Sequence, residues 1–291
     1  MDAAADSPQP DIGSPLEPKA RPRRLGRNLP AAIVVGLTLA AIFLTSLFLS
    51  HWAFLGFVAI LVVIALTELD GAFRGQAVRP ATPVAVGAGL VMFFGAYTNG
   101  ESGQSLGLVL LATGGAGWVL LDRHRRNVVA SLGATFLMGL WVPLLASYLG
   151  LLLRRPSGEW YVVVAIALAV TNDIGAYAAG IRLGRHKLAP TVSPGKTWEG
   201  FVGGMVATLL VAVLVIVRIV PSIDVLAATV LAVAIALVAT LGDLSESLVK
   251  RDLGLKDLGR ILPGHGGVMD RVDAILFAAP TAHFVLLLLG I

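Results

Sequence analysis

Long, continuous apolar runs dominate the chain. Nine of them, each 18 to 26 residues long, follow one another at roughly 29–50, 52–69, 81–98, 103–121, 128–153, 159–181, 199–220, 223–246 and 271–290. A helix needs about 20 mostly apolar residues to cross a bilayer core. Barrel strands would instead alternate in polarity over segments of about ten residues, and these runs do not. The expected fold is an all-α polytopic integral membrane protein with about nine transmembrane helices. Composition agrees, since only 14% of the residues are charged, against roughly 25% in soluble domains. The third run is rich in glycine and weak, and only His51 separates the first two.

Residues 1–28 are polar and Pro-rich, and read as a disordered basic N-terminal tail. The run after it lacks an A-x-A-like site and leads straight into another run, which favours a first span over a signal peptide. Cytoplasmic loops of membrane proteins are enriched in Lys and Arg. A cytoplasmic N-terminus puts 19 of the 22 Lys and Arg on the cytoplasmic side and leaves Arg154, Arg155 and Arg218 opposite. That placement accounts for the pI of about 9.7 without nucleic acid as a partner. Arginine (17) outnumbers lysine (5) in an Ala- and Gly-rich chain, which reads as a GC-rich bacterial genome and hence a bacterial plasma membrane. The absence of cysteine excludes a thiolate metal site and a cysteine nucleophile.

Ionisable groups at membrane depth are costly and mark function. Asp173 lies inside the run 159–181. Asp243, Glu246, Ser247 and Lys250 follow one another at helical spacing near the end of the eighth run and form one polar stripe. The loop 250–271 carries Lys250, Arg251, Lys256, Asp257, Arg260, His265, Gly266, Gly267, Asp270 and Arg271, with Asp273 just beyond. Its glycines allow unusual backbone angles and close approach to a ligand. Cations there suit phosphate, and carboxylates suit Mg²⁺, a hard ion that takes one or two carboxylates plus substrate phosphate oxygens. The loop 182–199 holds Ser193, Lys196 and Thr197 before a helix start. It resembles the tail of a P-loop, but the full G-x-x-x-x-G-K-[ST] pattern is not met. Both loops fall on the cytoplasmic face, where they can share one site.

The run from Ser247 to Asp273 resembles the signature of the phosphatidate cytidylyltransferases, the CDP-diacylglycerol synthases. The matching positions are Ser247, Lys250, Arg251, Lys256, Asp257, Leu262, Pro263, His265, Gly266, Gly267, Asp270, Arg271 and Asp273. Asp173-x-Gly175-Ala176-Tyr177 and the segment from Ser193 to Gly200 resemble the family's upstream elements. Gly195 departs from the pattern, where many relatives carry lysine. The likeness is strong over roughly 160–291, so 29–158 is expected to supply N-terminal helices and 159–291 the catalytic region. The resemblance implies transfer of CMP from CTP to phosphatidate, with release of pyrophosphate. It also implies a Mg²⁺ site with room for a second cation, Asp243 and Asp270 as metal ligands, and a homodimer.

On this reading Lys250, Arg251, Lys256 and Arg271 neutralise phosphate charge. Ser193, Lys196 and Thr197 hold a substrate phosphate, and Ser247, Gly266 and Gly267 complete the substrate-binding set. Asp173 and Glu246 orient the cations or bind a second metal. Asp257 and Asp273 serve as ligands or salt-bridge partners. His265 either contacts phosphate or supports the Gly266–Gly267 turn. A transporter would show inverted repeats and a site near the midplane, which the sequence does not. A CDP-alcohol phosphotransferase would need its own repeated Asp/Gly pattern, which is absent. A relative acting on another lipid phosphate is a further rival.

Overall fold

A computed structural model describes residues 29–121, 127–259, 261 and 266–291. The expected disordered tail 1–28, the basic cluster at 123–126 and His265 lie outside the described residues. Among those described there are nine helical segments: α1 (Leu29–Leu49), α2 (His51–Arg74), α3 (Thr82–Asn99), α4 (Glu101–Leu121), α5 (Val128–Leu153), α6 (Gly158–Leu183), α7 (Trp198–Ile219), α8 (Val225–Asp252) and α9 (Met269–Leu288). Seven of them, α2 and α4 to α9, are long and apolar enough to cross a membrane. The protein is thus an all-α polytopic membrane protein, and each expected run coincides with a helix. Two helices outrun their apolar cores. α2 continues to Arg74 and α8 to Asp252, so their polar ends stay helical.

Local chemistry sets the boundaries. Asp224 caps α8 by accepting a hydrogen bond from the amide of Ala227 at 2.7 Å, and Thr197 caps α7 through Gly200 at 3.1 Å. Such caps satisfy amides that no preceding turn can reach. Pro143 has no N–H to donate, and α5 widens into a π-turn over Leu140–Leu144 around it. Gly89 of α3 lies against this bulge, where a Cβ would sit 2.7 Å from Pro143. α6 and α7 approach through Gly175, Gly203 and Gly204. A Cβ on Gly175 would come within 2.6 Å of the Ala207 methyl. Lipid is as apolar as the side chains, so helices in membranes associate through such close packing rather than through hydrophobic burial.

The connections collect at two ends of the bundle. At one end, Gln76 donates to the Leu253 carbonyl at 2.9 Å, and the Ala81 amide donates to Thr135 at 2.8 Å. At the other, Arg154 donates to the Thr98 carbonyl at 2.9 Å, and Tyr161 to Ser222 at 3.0 Å. The first end carries Arg79, Lys187, Lys196, Lys250, Arg251 and Lys256, and the second carries Arg154 and Arg155. The segment expected as a loop over 182–199 contains a small antiparallel hairpin, β1 (Lys187–Ala189) and β2 (Ser193–Thr197), in the register Lys187↔Thr197 and Ala189↔Ser193.

Candidate active site

The hairpin is tied down at its base by Glu199, in the first turn of α7. Its carboxylate accepts from the amides of Arg185 (3.0 Å) and His186 (3.1 Å) and meets the His186 ring nitrogen at 2.6 Å. These contacts return β2 toward α8, where Lys196 Nζ lies 2.7 Å from Asp243 Oδ2. Farther along α8, Arg251 Nε donates to the Val192 carbonyl at 3.2 Å. The two segments expected to share a site are therefore joined at both ends of the hairpin.

Gly242 explains why Asp243 meets α9. A Cβ at 242 would come within 2.8 Å of the Phe277 ring and 2.9 Å of the Asp273 carbonyl. The missing side chain lets α8 and α9 touch one turn from the carboxylates. One ligand atom each from Asp243, Glu246 and Asp273 then lie within 4.8 Å of one another. Glu246 and Asp273 are buried, and among the described residues Glu246 Oε1 has no hydrogen-bond partner. Three carboxylates gathered this closely repel one another, and a buried carboxylate oxygen without a donor is costly. A hard divalent cation relieves both penalties.

Asp270 is held differently. Its Oδ1 lies 2.7 Å from Lys250 Nζ, and its Oδ2 accepts from the amides of Gly267 (2.9 Å) and Leu258 (3.2 Å). Lys250 also reaches Glu246 Oε2 at 2.8 Å, so it bridges α8 and α9. The start of α9 is fixed by a residue that the sequence did not single out. Glu68 of α2 is buried, and it accepts from the amides of Val268 (3.1 Å) and Met269 (3.0 Å). Gly267 and Gly259 make room for that carboxylate. A Cβ on Gly267 would come within 2.6 Å of Glu68 Oε2.

These groups enclose a cavity of about 540 Å³. Of the residues singled out from sequence, Asp173, Ser193, Lys196, Thr197, Asp243, Glu246, Lys250, Asp257, Asp270, Arg271 and Asp273 line it. Ser247, Arg251, Lys256, Gly266 and Gly267 are outside the lining. Ser247 approaches Asp243 Oδ1 at 3.4 Å, and Lys256 is exposed. Asn172 and Thr240 are further lining residues. Asn172 is buried, and among the described residues its Oδ1 has no hydrogen-bond partner, a polar group at membrane depth beside Asp173.

A multi-span helical protein whose cavity sets carboxylates beside lysines at one end of the bundle belongs, in class, with membrane enzymes that handle phosphates. The match to the cytidylyltransferase family covers residues 30–289, and the chain belongs to that family. It is an enzyme of the nucleotidyltransferase kind, as the run from Ser247 to Asp273 leads one to expect. The phosphatidate cytidylyltransferase of Mycobacterium bovis is 34% identical over 307 aligned positions, covering 99% of this chain and 98% of its own. That of Mycobacterium leprae is 35% identical over 285, covering 91% and 90%. The phosphatidate cytidylyltransferase of Staphylococcus saprophyticus is 40% identical over 133 residues, covering 46% and 51%.

Proposed function

We propose that the chain transfers CMP from CTP to phosphatidate, forming CDP-diacylglycerol and pyrophosphate at the cytoplasmic face of a bacterial plasma membrane. The observation that carries this reading is the single cavity in which the hairpin cation Lys196 and the α8–α9 carboxylates meet. Near-full-length similarity to relatives named phosphatidate cytidylyltransferase supports the choice of lipid. The enrichment of Lys and Arg at the cavity's end of the bundle supports the cytoplasmic side.

The nucleophile is a phosphate oxygen of phosphatidate, already an anion, so no strong base is needed. It attacks the α-phosphorus of CTP and forms the new P–O bond. The bond from that phosphorus to the oxygen bridging the β-phosphate breaks, and the electron pair leaves with pyrophosphate. The obstacle is bringing two anions together, which positioning and charge neutralisation solve. Lys196, Lys250 and Arg271 neutralise phosphate oxygens, and Ser193 and Thr197 donate hydrogen bonds to them. Asp270 holds Lys250 in place through its Oδ1.

The donor set of Asp243, Glu246 and Asp273 fits Mg²⁺, given the oxygen-only chemistry and the orphaned Glu246 Oε1. Bound there, the ion supplies charge neutralisation to the nucleotide phosphates. The pair Asp243 and Asp270 is the alternative set, for which Lys250 would have to give up Asp270. In this proposal Asp173 orients Lys196 or serves a second cation. In the same proposal, 159–291 carries the catalytic region, 29–158 its supporting helices, and the chain acts as a homodimer.

The test is direct. Protein purified in mild detergent is incubated with labelled CTP, Mg²⁺ and phosphatidate, and label is followed into the organic phase. Transfer that requires both phosphatidate and Mg²⁺, and stops with EDTA, is the expected result. Folded protein that labels no phosphatidate of any chain length sinks the reading.

A further inference from the structure

A second cavity lies beside the polar one and shares a residue with it. It measures about 610 Å³, within the roughly 300–1,000 Å³ of ligand sites. Of its twenty lining residues, nineteen carry no polar side-chain atom, and the twentieth is Arg271. Arg271 also lines the polar cavity. We propose that this cleft receives an acyl chain of the phosphatidate substrate, with Arg271 at the junction between hydrocarbon and phosphate. The inference deepens the proposed function and rests on it.

The same two helices wall both cavities. On α6, Val170 and Ile174 line the cleft, whereas Asp173 and Tyr177 line the polar cavity. On α9, Val272 and Ile275 line the cleft, whereas Asp270 and Asp273 line the polar cavity. An amphiphile can therefore lie across the boundary without leaving either helix. The cleft is not sealed, since its lining residues Val170 and Ile174 are 42% and 65% exposed on a membrane-spanning helix. The far wall comes from α1, α2 and α5. A cleft of hydrocarbon ending at a guanidinium complements a chain ending in an anionic phosphate ester. A choline or ethanolamine headgroup would instead set a second cation beside Arg271.

The test uses the full chain in lipid nanodiscs with phosphatidate carrying a diazirine on one acyl chain. Photolysis should label cleft residues around Ile275 and Val170. Unlabelled phosphatidate should compete the label away, and phosphatidylcholine should not. Equal labelling by a diazirine phosphatidylcholine, or labels confined to the outer faces of the bundle, would overturn the proposal. A kinetic measurement stands beside it. Ala40→Trp and Val170→Trp fill the cleft, so KM for dioleoyl phosphatidate should rise about tenfold, the scale of lost apolar contacts in a pocket, and KM for dihexanoyl phosphatidate should hold. Equal changes for both lipids, or none, count against the cleft while leaving the reaction intact. Wild-type protein that converts neither lipid would remove the functional reading and the cleft together. If a tryptophan variant does not fold, the photolabelling of the wild-type chain decides.

Discussion

The carboxylate of Glu68 accepts a hydrogen bond from the backbone amide of Met269, 201 residues away in sequence, at 3.0 Å. It takes the neighbouring amide of Val268 as well. An acidic group from α2 thus serves as the N-terminal cap of α9, the helix that carries Asp270 and Asp273. Anions at helix N-termini are favoured by both free amides and the helix dipole. Glu68→Ala leaves two buried amides without acceptors, at about 1–3 kcal/mol for each unsatisfied group. The expected outcome is a lower melting temperature in detergent together with lost CMP transfer. Glu68→Gln keeps an acceptor oxygen and should recover part of both. A variant Glu68→Ala with wild-type stability and turnover would show that the α9 start is held by other contacts.

Asp273→Asn and Asp243→Asn test the proposed cation set. Each should lower turnover by about a hundredfold or more, as when one preorganised electrostatic group is removed. A ligand that binds only the folded state raises its melting temperature. Mg²⁺ should therefore stabilise the wild-type protein and fail to stabilise these variants. Asp270→Asn should keep the Mg²⁺-dependent shift while losing turnover, because Asp270 holds Lys250. Loss of the shift in Asp270→Asn and Asp243→Asn with its retention in Asp273→Asn selects Asp243 and Asp270 as the ligand pair.

Lys196→Met separates chemistry from stability. The ion pair with Asp243 is partly exposed, and exposed pairs contribute about 1 kcal/mol or less. Melting should change little. Turnover should fall steeply, because the same ammonium is assigned to substrate phosphate. Parallel loss of folding and activity would mark the pair as structural.

Two glycines near the site should respond oppositely. A Cβ at Gly267 would meet Glu68 Oε2 at 2.6 Å, the Gly259 amide at 2.8 Å and Asp270 Oδ2 at 2.9 Å. Gly195 has nothing within 4 Å of its Cβ position. Gly267→Ala should displace the Glu68 cap and cost about 1–3 kcal/mol through overpacking, with loss of transfer. Gly195→Ala should retain activity close to wild type. Thermal melts and label transfer on the two purified variants check this contrast.

The helices were legible because membrane insertion demands long apolar runs, and each run leaves its mark residue by residue. α8 could be read to its polar stripe because Asp243, Glu246 and Lys250 recur at helical spacing. The pairing across helices was less legible. Spacing alone could not say that Asp273 would join Asp243 and Glu246 while Asp270 turned to Lys250, since that depends on the close approach at Gly242. Glu68 carries no distinct signal in sequence, because a carboxylate near the end of an apolar run, with Asp70 two residues on, looks like a helix terminus. Its partner amides belong to a segment two hundred residues on. The hairpin at 187–197 leaves no sequence signature, because its strands are too short to show alternation. They hold through Glu199 and the contacts to α8 rather than through their own propensity.

The joint between α3 and α4 bears on how the chain is made. A Cβ on Gly95 would meet the Gly103 backbone at 2.9 Å, and one on Gly107 would meet the Met92 amide at 2.6 Å. The two helices touch backbone to backbone, joined through Gly100 at a φ of 68°. α3 is the weakly apolar run and a poor lone passenger for the insertion machinery. Close packing against α4 supplies what its hydropathy lacks. The pair is therefore best inserted during biogenesis as one helical hairpin, and α3 takes its orientation from the partner synthesised immediately after it.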